Sequence, residues 1–160
     1  MKTRDLIYCA LFAALTAIGA FLHFQFMHAT ITLQCFFTAM AGLLLGARLG
    51  ALSQALYVGL GLVGLPIFAA GGGFSYVFNP TFGFLLGLIP ALACAAGFAV
   101  LYAIGLPYIA LIVNVYNGGA VSAAKLATAY MLPYLPGDCL KIVVSVLLAP
   151  RILRAMARNS

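Results

Sequence analysis

The sequence predicts an all-α polytopic membrane protein, a bundle of six transmembrane helices in a single domain that covers residues 1–160. Of the 160 residues, 66% are hydrophobic, only 6% are charged, and the mean hydropathy is +1.17. Soluble domains carry about a quarter charged residues, so this chain lacks the polar side chains to cover a water-facing globule. Long apolar runs separated by short polar segments are what a bilayer requires of spanning helices.

The distribution of charge argues for a lipid bilayer as the partner and against nucleic acid. The net charge is +6, but the basic residues flank apolar runs and form no patch. They lie near the N-terminus, between two apolar runs and near the C-terminus: Lys2, Arg4, Arg48, Arg151, Arg154 and Arg158. Basic residues at helix ends mark the cytoplasmic side of a membrane protein, so both termini are predicted to be cytoplasmic.

No sequence motif indicates catalysis, a cofactor or a metal site. The chain has no Walker-type phosphate loop, no Gly-x-Gly-x-x-Gly after a strand and no His-Glu-x-x-His. Its four cysteines lie far apart inside apolar segments, which is typical of packing residues rather than of a disulfide framework. We therefore expect a protein that is not an enzyme.

The first span is predicted at Leu6–Phe24. Ala10 and Ala14 recur four residues apart, and Ala13 and Ala17 repeat that spacing. Small residues at this interval allow another helix to approach closely. The approaching helix could belong to a partner subunit or to this chain.

Spans two and three are predicted at 31–47 and 49–67, with Arg48 at the cytoplasmic turn between them. The segment "AAGGGFSYVFNPT" (69–81) that follows is not helical in pattern. Its glycines permit close backbone approach to a ligand and its aromatic rings supply flat apolar walls, so we interpret it as a binding loop. An ordinary external loop is the alternative.

The region 81–113 determines the number of spans. It has no charged residue, contains Pro90 and Pro107, and is longer than one span of about 20 residues but short for two. Two cytoplasmic termini require an even number of crossings, which favours a cramped hairpin turning near Cys94–Gly97 and six spans in all. Five spans remain the alternative.

A short interfacial helix and the last span complete the chain. Ser122, Lys125 and Thr128 recur at helical spacing, which predicts a short helix at the outer interface. The last span is predicted from Pro136 to Ala149, because proline suits a first helical turn.

The chain has only two acidic residues. One of them, Asp138, lies in this last apolar helix, with Lys141 three residues later. Both therefore lie on one helix face. Each charge costs on the order of 2.5–3.5 kcal/mol in a membrane helix, so such residues usually face a bundle interior and mark a substrate pathway. A mutual ion pair or an interfacial position is the structural alternative.

Four stretches of the sequence together match a known family pattern: "ITLQ" at 31–34, "AGLLLGARLGALSQALYVGLGLVGLPIFAAGGG" at 41–73, "NPTFGFLLG" at 79–87 and "LPYLPGDCLK" at 132–141. With these stretches the chain resembles the BioY family, the biotin-binding membrane subunits (S components) of energy-coupling factor (ECF) vitamin transporters. The resemblance implies a six-helix fold, high-affinity capture of extracellular biotin, and delivery across a prokaryotic plasma membrane. It also implies a transmembrane coupling subunit and two ATPase subunits as partners.

The resemblance also assigns residues to these tasks. The implied substrate-binding residues are Gln34, Gly71, Gly72, Gly73, Tyr76, Asn79, Thr81, Asp138 and Lys141. The implied contacts with the coupling subunit are Ala10, Ala14 and Ala17.

The sequence departs from the family pattern in two places. "MHAT" stands before "ITLQ" where the family usually has a proline-rich approach. The segment after "NPTFGFLLG" is shorter than in the family by about one helix. An S component for a different small vitamin and a non-transport membrane scaffold are the alternative functions.

Overall fold

The computed structural model describes residues 2–26, 29–91, 97–116, 118–120 and 122–158, and most of them are helical. The α-helices are α1 (Thr3–Phe21), α2 (Gln34–Leu62), α3 (Phe82–Ala91), α4 (Gly97–Leu111), α5 (Ala123–Tyr130) and α6 (Leu135–Arg158). Two short strands, β1 (His23–Phe26) and β2 (Ala29–Thr32), form an antiparallel pair between α1 and α2. A 3₁₀ turn at Phe74–Phe78 and a π-helical turn at Ile112–Tyr116 complete the list. The helical membrane fold predicted from the sequence is confirmed.

The helix α2 reverses direction at Gly46, so it supplies two of the predicted spans. Gly46 has φ 81° and ψ 169°, which is not helical, and the Thr38 hydroxyl donates to Oε1 of Gln54 at 3.0 Å. A continuous helix would separate these two residues by about 24 Å. By length and composition α2 counts as one span of 29 residues, but this hydrogen bond requires two antiparallel halves. Arg48 stands beside the reversal, as predicted.

A buried polar cluster joins α1 to both halves of α2. Nε2 of Gln54 donates to Oγ1 of Thr16 at 3.1 Å and to Oγ of Ser53 at 3.2 Å, while its Oε1 accepts from Thr38. All four side chains are buried. The side-chain amide of Gln54 is therefore satisfied by protein groups alone.

The helices α3 and α4 form the predicted hairpin. Gly83 lies against Tyr108 and Gly87 lies against Leu101, so the two helices run antiparallel with little space between them. The chain therefore forms two helices here and not the single one of the five-helix alternative. The predicted turn begins at Cys94, which lies outside the described residues, and ends at Gly97, the first residue of α4.

The contacts of α1, α2 and α6 place five basic residues at one end of the bundle. Sγ of Cys9 donates to the Leu49 carbonyl, which brings the start of α1 to the reversal of α2. Leu148 of α6 packs with Phe12 of α1 and Met40 of α2, so α6 runs toward the same end. The basic residues at this end are Lys2, Arg4, Arg48, Arg151 and Arg154.

Several predicted element boundaries are wrong. The first span ends at Phe21 and the second begins at Gln34, because the strand pair occupies the residues between them. The helix α2 ends at Leu62 instead of residue 67, since Gly64 adopts φ 122° and Pro66 follows. The helix α6 continues through Pro150 to Arg158, because a proline costs a helix one amide donor but does not always end it.

Candidate functional site

A cavity of roughly 430 Å³ opens at the end of the bundle opposite the basic residues. Its volume falls in the range of small-molecule sites, about 300–1,000 Å³. Apolar side chains of α3 and α4 line the middle: Phe84, Leu85, Leu88, Leu101 and Ile109. Polar side chains lie around them: His23, Thr32, Gln34, Asn79, Thr81, Tyr102, Tyr134, Asp138 and Lys141. Such a cavity suits a ligand with an apolar body and polar groups at its ends.

A three-residue cluster forms the charged part of the cavity wall. Nζ of Lys141 donates to Oδ1 of Asp138 at 2.8 Å, and the Tyr102 hydroxyl donates to Oδ2 at 2.6 Å. Asp138, Lys141, Ser145 and Ala149 recur at intervals of three or four residues, so they form the buried face of α6. The mutual ion pair of Asp138 and Lys141, given above as the structural alternative, is present, and the same two side chains also line the cavity.

Asn79 and Thr81 lie where the loop enters α3. Oδ1 of Asn79 accepts from the backbone amide of Thr81 at 3.0 Å and from its hydroxyl at 2.7 Å. This Asx-type turn satisfies an amide at the start of the helix and holds both side chains at the cavity wall. The Nδ2 donors are the remaining hydrogen-bonding groups of the Asn79 side chain.

The loop at residues 69–81, called the glycine loop below, packs tightly against α2. Phe68 and Gly71 exchange backbone hydrogen bonds of 2.9 and 3.1 Å, and the Gly73 amide donates to the Gly61 carbonyl at 2.7 Å. Gly71 and Gly73 have φ values of 114° and 102°, which other residues rarely adopt. A side chain on Gly72 would place its Cβ 2.0 Å from the Leu65 carbonyl oxygen.

A chain of aromatic rings continues from this loop into the core. Phe68 packs edge-to-face against Tyr57, with ring centroids 5.5 Å apart, and at an interplanar angle of 49° against Tyr76, with centroids 4.7 Å apart. Tyr76 in turn packs against Phe82 at 6.4 Å. The Tyr57 hydroxyl donates to the Ile67 carbonyl. The loop is therefore held by its backbone and by its aromatic side chains, and it forms one wall of the cavity.

Six of the nine predicted binding residues line the cavity. They are Gln34, Tyr76, Asn79, Thr81, Asp138 and Lys141. Gly71, Gly72 and Gly73 are not among the lining residues; their loop reaches the cavity through Ala69, Ala70 and Tyr76.

Sequence reasoning missed several lining residues. Tyr102 and Tyr134 are aromatic residues in apolar surroundings, and Cys35 was interpreted as a packing residue. Cys35 lines the cavity and also packs against the buried core. One signal could have pointed to Tyr102. A buried Asp138 that pairs with one lysine has a second carboxylate oxygen, and that oxygen needs another donor.

The three alanines predicted for partner contact lie along α1. Ala10 and Ala14 are exposed on the surface of the chain and Ala17 is half-buried, whereas Ala13 is buried in the core. Exposed apolar side chains share the surface of α1: Leu6, Ile7, Leu11 and Ile18.

Comparison with known proteins identifies relatives along the whole chain. The sequence model of the BioY family matches residues 1–95 and 90–158. A protein of Lysinibacillus sphaericus named "Probable biotin transporter BioY" is 36% identical over 94% of this chain and 87% of its own length. The "Biotin transporter BioY" of Thermotoga maritima is 33% identical over 93% of this chain and 95% of its own length.

A solved structure shares the fold. The crystal structure of the S component for biotin from an ECF-type ABC transporter superposes with a TM-score of 0.72 at 21% identity, and the match covers 96% of this chain and 95% of that one. The family match divides at residues 90–95, the junction of α3 and α4, where the sequence departs from the family pattern. The alignment with the Lysinibacillus protein has 171 positions but takes in about 150 residues of this chain, so about 20 positions are gaps here.

The close approach at Gly72 generates a prediction about the loop. Gly72→Ala is expected to lower the free energy of unfolding by about 1–3 kcal/mol, because the new Cβ collides with the backbone at Leu65. Gly59→Ala is the matched control, since open space surrounds a Cβ at that position and alanine favours a helix. Thermal unfolding in detergent measures both variants. Equal melting temperatures for the two would contradict a tightly packed loop.

Proposed function

The chain belongs to the BioY family, and from this premise we propose that it is the biotin-binding S component of a vitamin uptake transporter. It captures biotin from outside the cell and delivers it across the membrane with an ECF energising module. Family membership and the names of its relatives support this function, and the protein is a transporter subunit and not an enzyme.

The observation that carries the proposal is the pairing of one carboxylate with one ammonium at an otherwise apolar cavity. Biotin has a cyclic urea, an apolar ring and chain, and a terminal carboxylate. Asp138 can accept from a urea N–H and Lys141 can donate to the urea carbonyl, because the two groups lie side by side. The leucines and Phe84 supply the apolar wall.

The remaining predicted residues are proposed for the rest of the ligand. Gln34, Asn79 and Thr81 provide amide and hydroxyl groups around the cavity, and Tyr76 provides an aromatic wall. Gly71, Gly72 and Gly73 are proposed to act by shaping the backbone that brings Ala69 and Ala70 to the cavity.

The test of function is binding by the purified protein of biotin, thiamine and riboflavin, compared in one titration series. Saturable binding of biotin in preference to the other two is the expected result. Binding of another vitamin instead would leave the fold assignment intact and contradict biotin as the substrate. Binding of none would favour the scaffold alternative.

The Asp138–Lys141 pair gives a sharper prediction. Lys141→Met and Asp138→Asn are each expected to weaken biotin binding by roughly 2–5 kcal/mol, because each removes a desolvated, charge-assisted contact. Each single change also leaves an uncompensated partner, so the double variant should recover thermal stability without recovering affinity. Melting temperatures and biotin affinities of the three variants decide the matter. If the double variant binds biotin like the wild type, the pair is only structural.

The energising partners are part of the proposal. We infer that the chain docks on a transmembrane coupling subunit that works with two ATPase subunits, and that the exposed face of α1 makes the contact. Ala10 and Ala14 are exposed there, and their small side chains permit close helix approach, with Ala17 one turn further.

Ala14→Trp tests this contact. The indole should block helix approach and reduce co-purification with the coupling subunit, while biotin affinity stays within about twofold because no residue of α1 lines the cavity. Val143→Trp, at an exposed position on α6, is the matched control. Loss of the complex in both variants, or of biotin binding in Ala14→Trp, would remove α1 from the interface.

The orientation in a prokaryotic plasma membrane is proposed from the charge distribution. The chain crosses the membrane several times, with both termini and Arg48 in the cytoplasm and with the cavity and Lys125 outside. The clustering of basic residues at the end of the bundle opposite the cavity supports this orientation.

Cysteine labelling in sealed cells tests the orientation. In a background without the native cysteines, Lys125→Cys should react with an impermeant maleimide and Lys2→Cys should react only after permeabilisation. Lys125 is exposed on α5, so its reagent access is assured if it lies outside. Labelling of Lys2→Cys in intact cells would contradict the proposed cytoplasmic position of the N-terminus.

A further inference from the structure

The hydroxyl of Tyr102 makes a contact that the proposed ligand chemistry leaves unexplained. It donates to Oδ2 of Asp138 at 2.6 Å, and both side chains are buried. Tyr102 lies on α4, which packs on α3, whereas Asp138 lies on α6, which packs on α2. The hydrogen bond therefore connects the two sides of the cavity.

The orientation of Tyr102 is held by packing as well. Its ring stands edge-to-face against Phe84, with centroids 5.8 Å apart and an interplanar angle of 86°. Tyr102 and Asp138 also line a second, apolar groove between α4 and α6. The pair therefore stands between this groove and the ligand cavity.

The carboxylate of Asp138 already accepts two internal hydrogen bonds. Lys141 occupies Oδ1 and Tyr102 occupies Oδ2, whereas an ionised carboxylate offers about four lone-pair positions. The positions that remain are enough for a ligand with one or two N–H groups. The three side chains together carry no net charge, because the ammonium balances the carboxylate.

We propose that Tyr102 is a positioning residue that sets ligand specificity by limiting how many donors Asp138 accepts. This inference rests on the proposed function. With Tyr102 in place, the balanced cluster favours a neutral cyclic urea over a cationic cyclic guanidinium, which has two more N–H donors and would add a second cation beside Lys141. Without the hydroxyl, a lone pair of Asp138 becomes available to a ligand donor, and the affinity for the cationic ligand rises.

The experiment compares Tyr102→Phe with the wild type for two ligands, biotin and 2-iminobiotin, in which a guanidine group replaces the urea. Phenylalanine keeps the ring against Phe84 and removes only the donor. Biotin affinity is expected to fall about tenfold, the effect of losing roughly 1.4 kcal/mol of charge-assisted hydrogen bonding. The ratio of biotin affinity to iminobiotin affinity is expected to fall by more than about tenfold, because biotin affinity falls while iminobiotin affinity rises.

Tyr108→Phe is the matched control. Tyr108 is on the same helix and its hydroxyl donates to the Val77 carbonyl, and neither of these two residues lines the cavity. Its removal should lower the melting temperature and leave the affinity ratio unchanged. An unchanged ratio in Tyr102→Phe, or a Tyr102→Phe protein that does not fold, assigns Tyr102 a purely structural role and overturns the proposal.

A ligand-free measurement separates this inference from the proposed function. Asp5 and Asp138 are the chain's acidic residues, so an Asp5→Asn background leaves Asp138 as its sole side-chain carboxylate. Tyr102→Phe in that background should shift the antisymmetric carboxylate band in the infrared spectrum, and Tyr108→Phe should not. No shift overturns the role of Tyr102. A shift in a protein that fails to bind biotin would instead overturn the proposed function.

Discussion

The reversal of α2, held by the side-chain amide of Gln54, is the constraint on which the rest of the structure depends. Gln54 hydrogen-bonds Thr38 across the reversal and Thr16 on α1, so one amide fixes three helical segments at one level. In a membrane there is no water to replace these bonds, and an unpaired amide would cost several kcal/mol. Because α2 returns to its starting level, Gln34 at its beginning and the glycine loop after its end meet at the same cavity.

The charged cluster at the cavity follows a related rule for buried polar groups. Two charges removed from water are stable only if their remaining hydrogen-bonding positions are also satisfied. The lysine alone would leave one oxygen of Asp138 without a donor, and the tyrosine of α4 supplies it. A site that is satisfied before any ligand arrives can exchange one of its contacts for a ligand group without exposing a bare charge.

The sequence allowed prediction of those features that depend on rare residues. Two charges in an apolar helix indicated the site, and basic residues at helix ends indicated the hairpins. The even number of crossings required by two cytoplasmic termini favoured two cramped helices in region 81–113, which α3 and α4 confirm. The strand pair and Tyr102 were not predictable in this way. Each strand alternates polar and apolar residues over only four positions, which is too short a pattern to distinguish a strand from the end of an apolar run. A tyrosine among leucines and alanines looks like any core residue until its partner is known. The predicted end of the last span at Ala149 is wrong because the helix tolerates the loss of one backbone hydrogen bond at Pro150, near its exposed end.

The reversal at Gly46 also makes the hydrophobic height of the protein uneven. The halves of α2, residues 34–45 and 47–62, are about 18 and 24 Å long, whereas α1 is about 28 Å and α6 about 36 Å. A hydrocarbon layer is about 30 Å thick, so the α2 side is too short for it and the α6 side is long enough to tilt. Lipids beside α2 are therefore expected to thin, or the whole bundle to tilt, so that these short helices are matched.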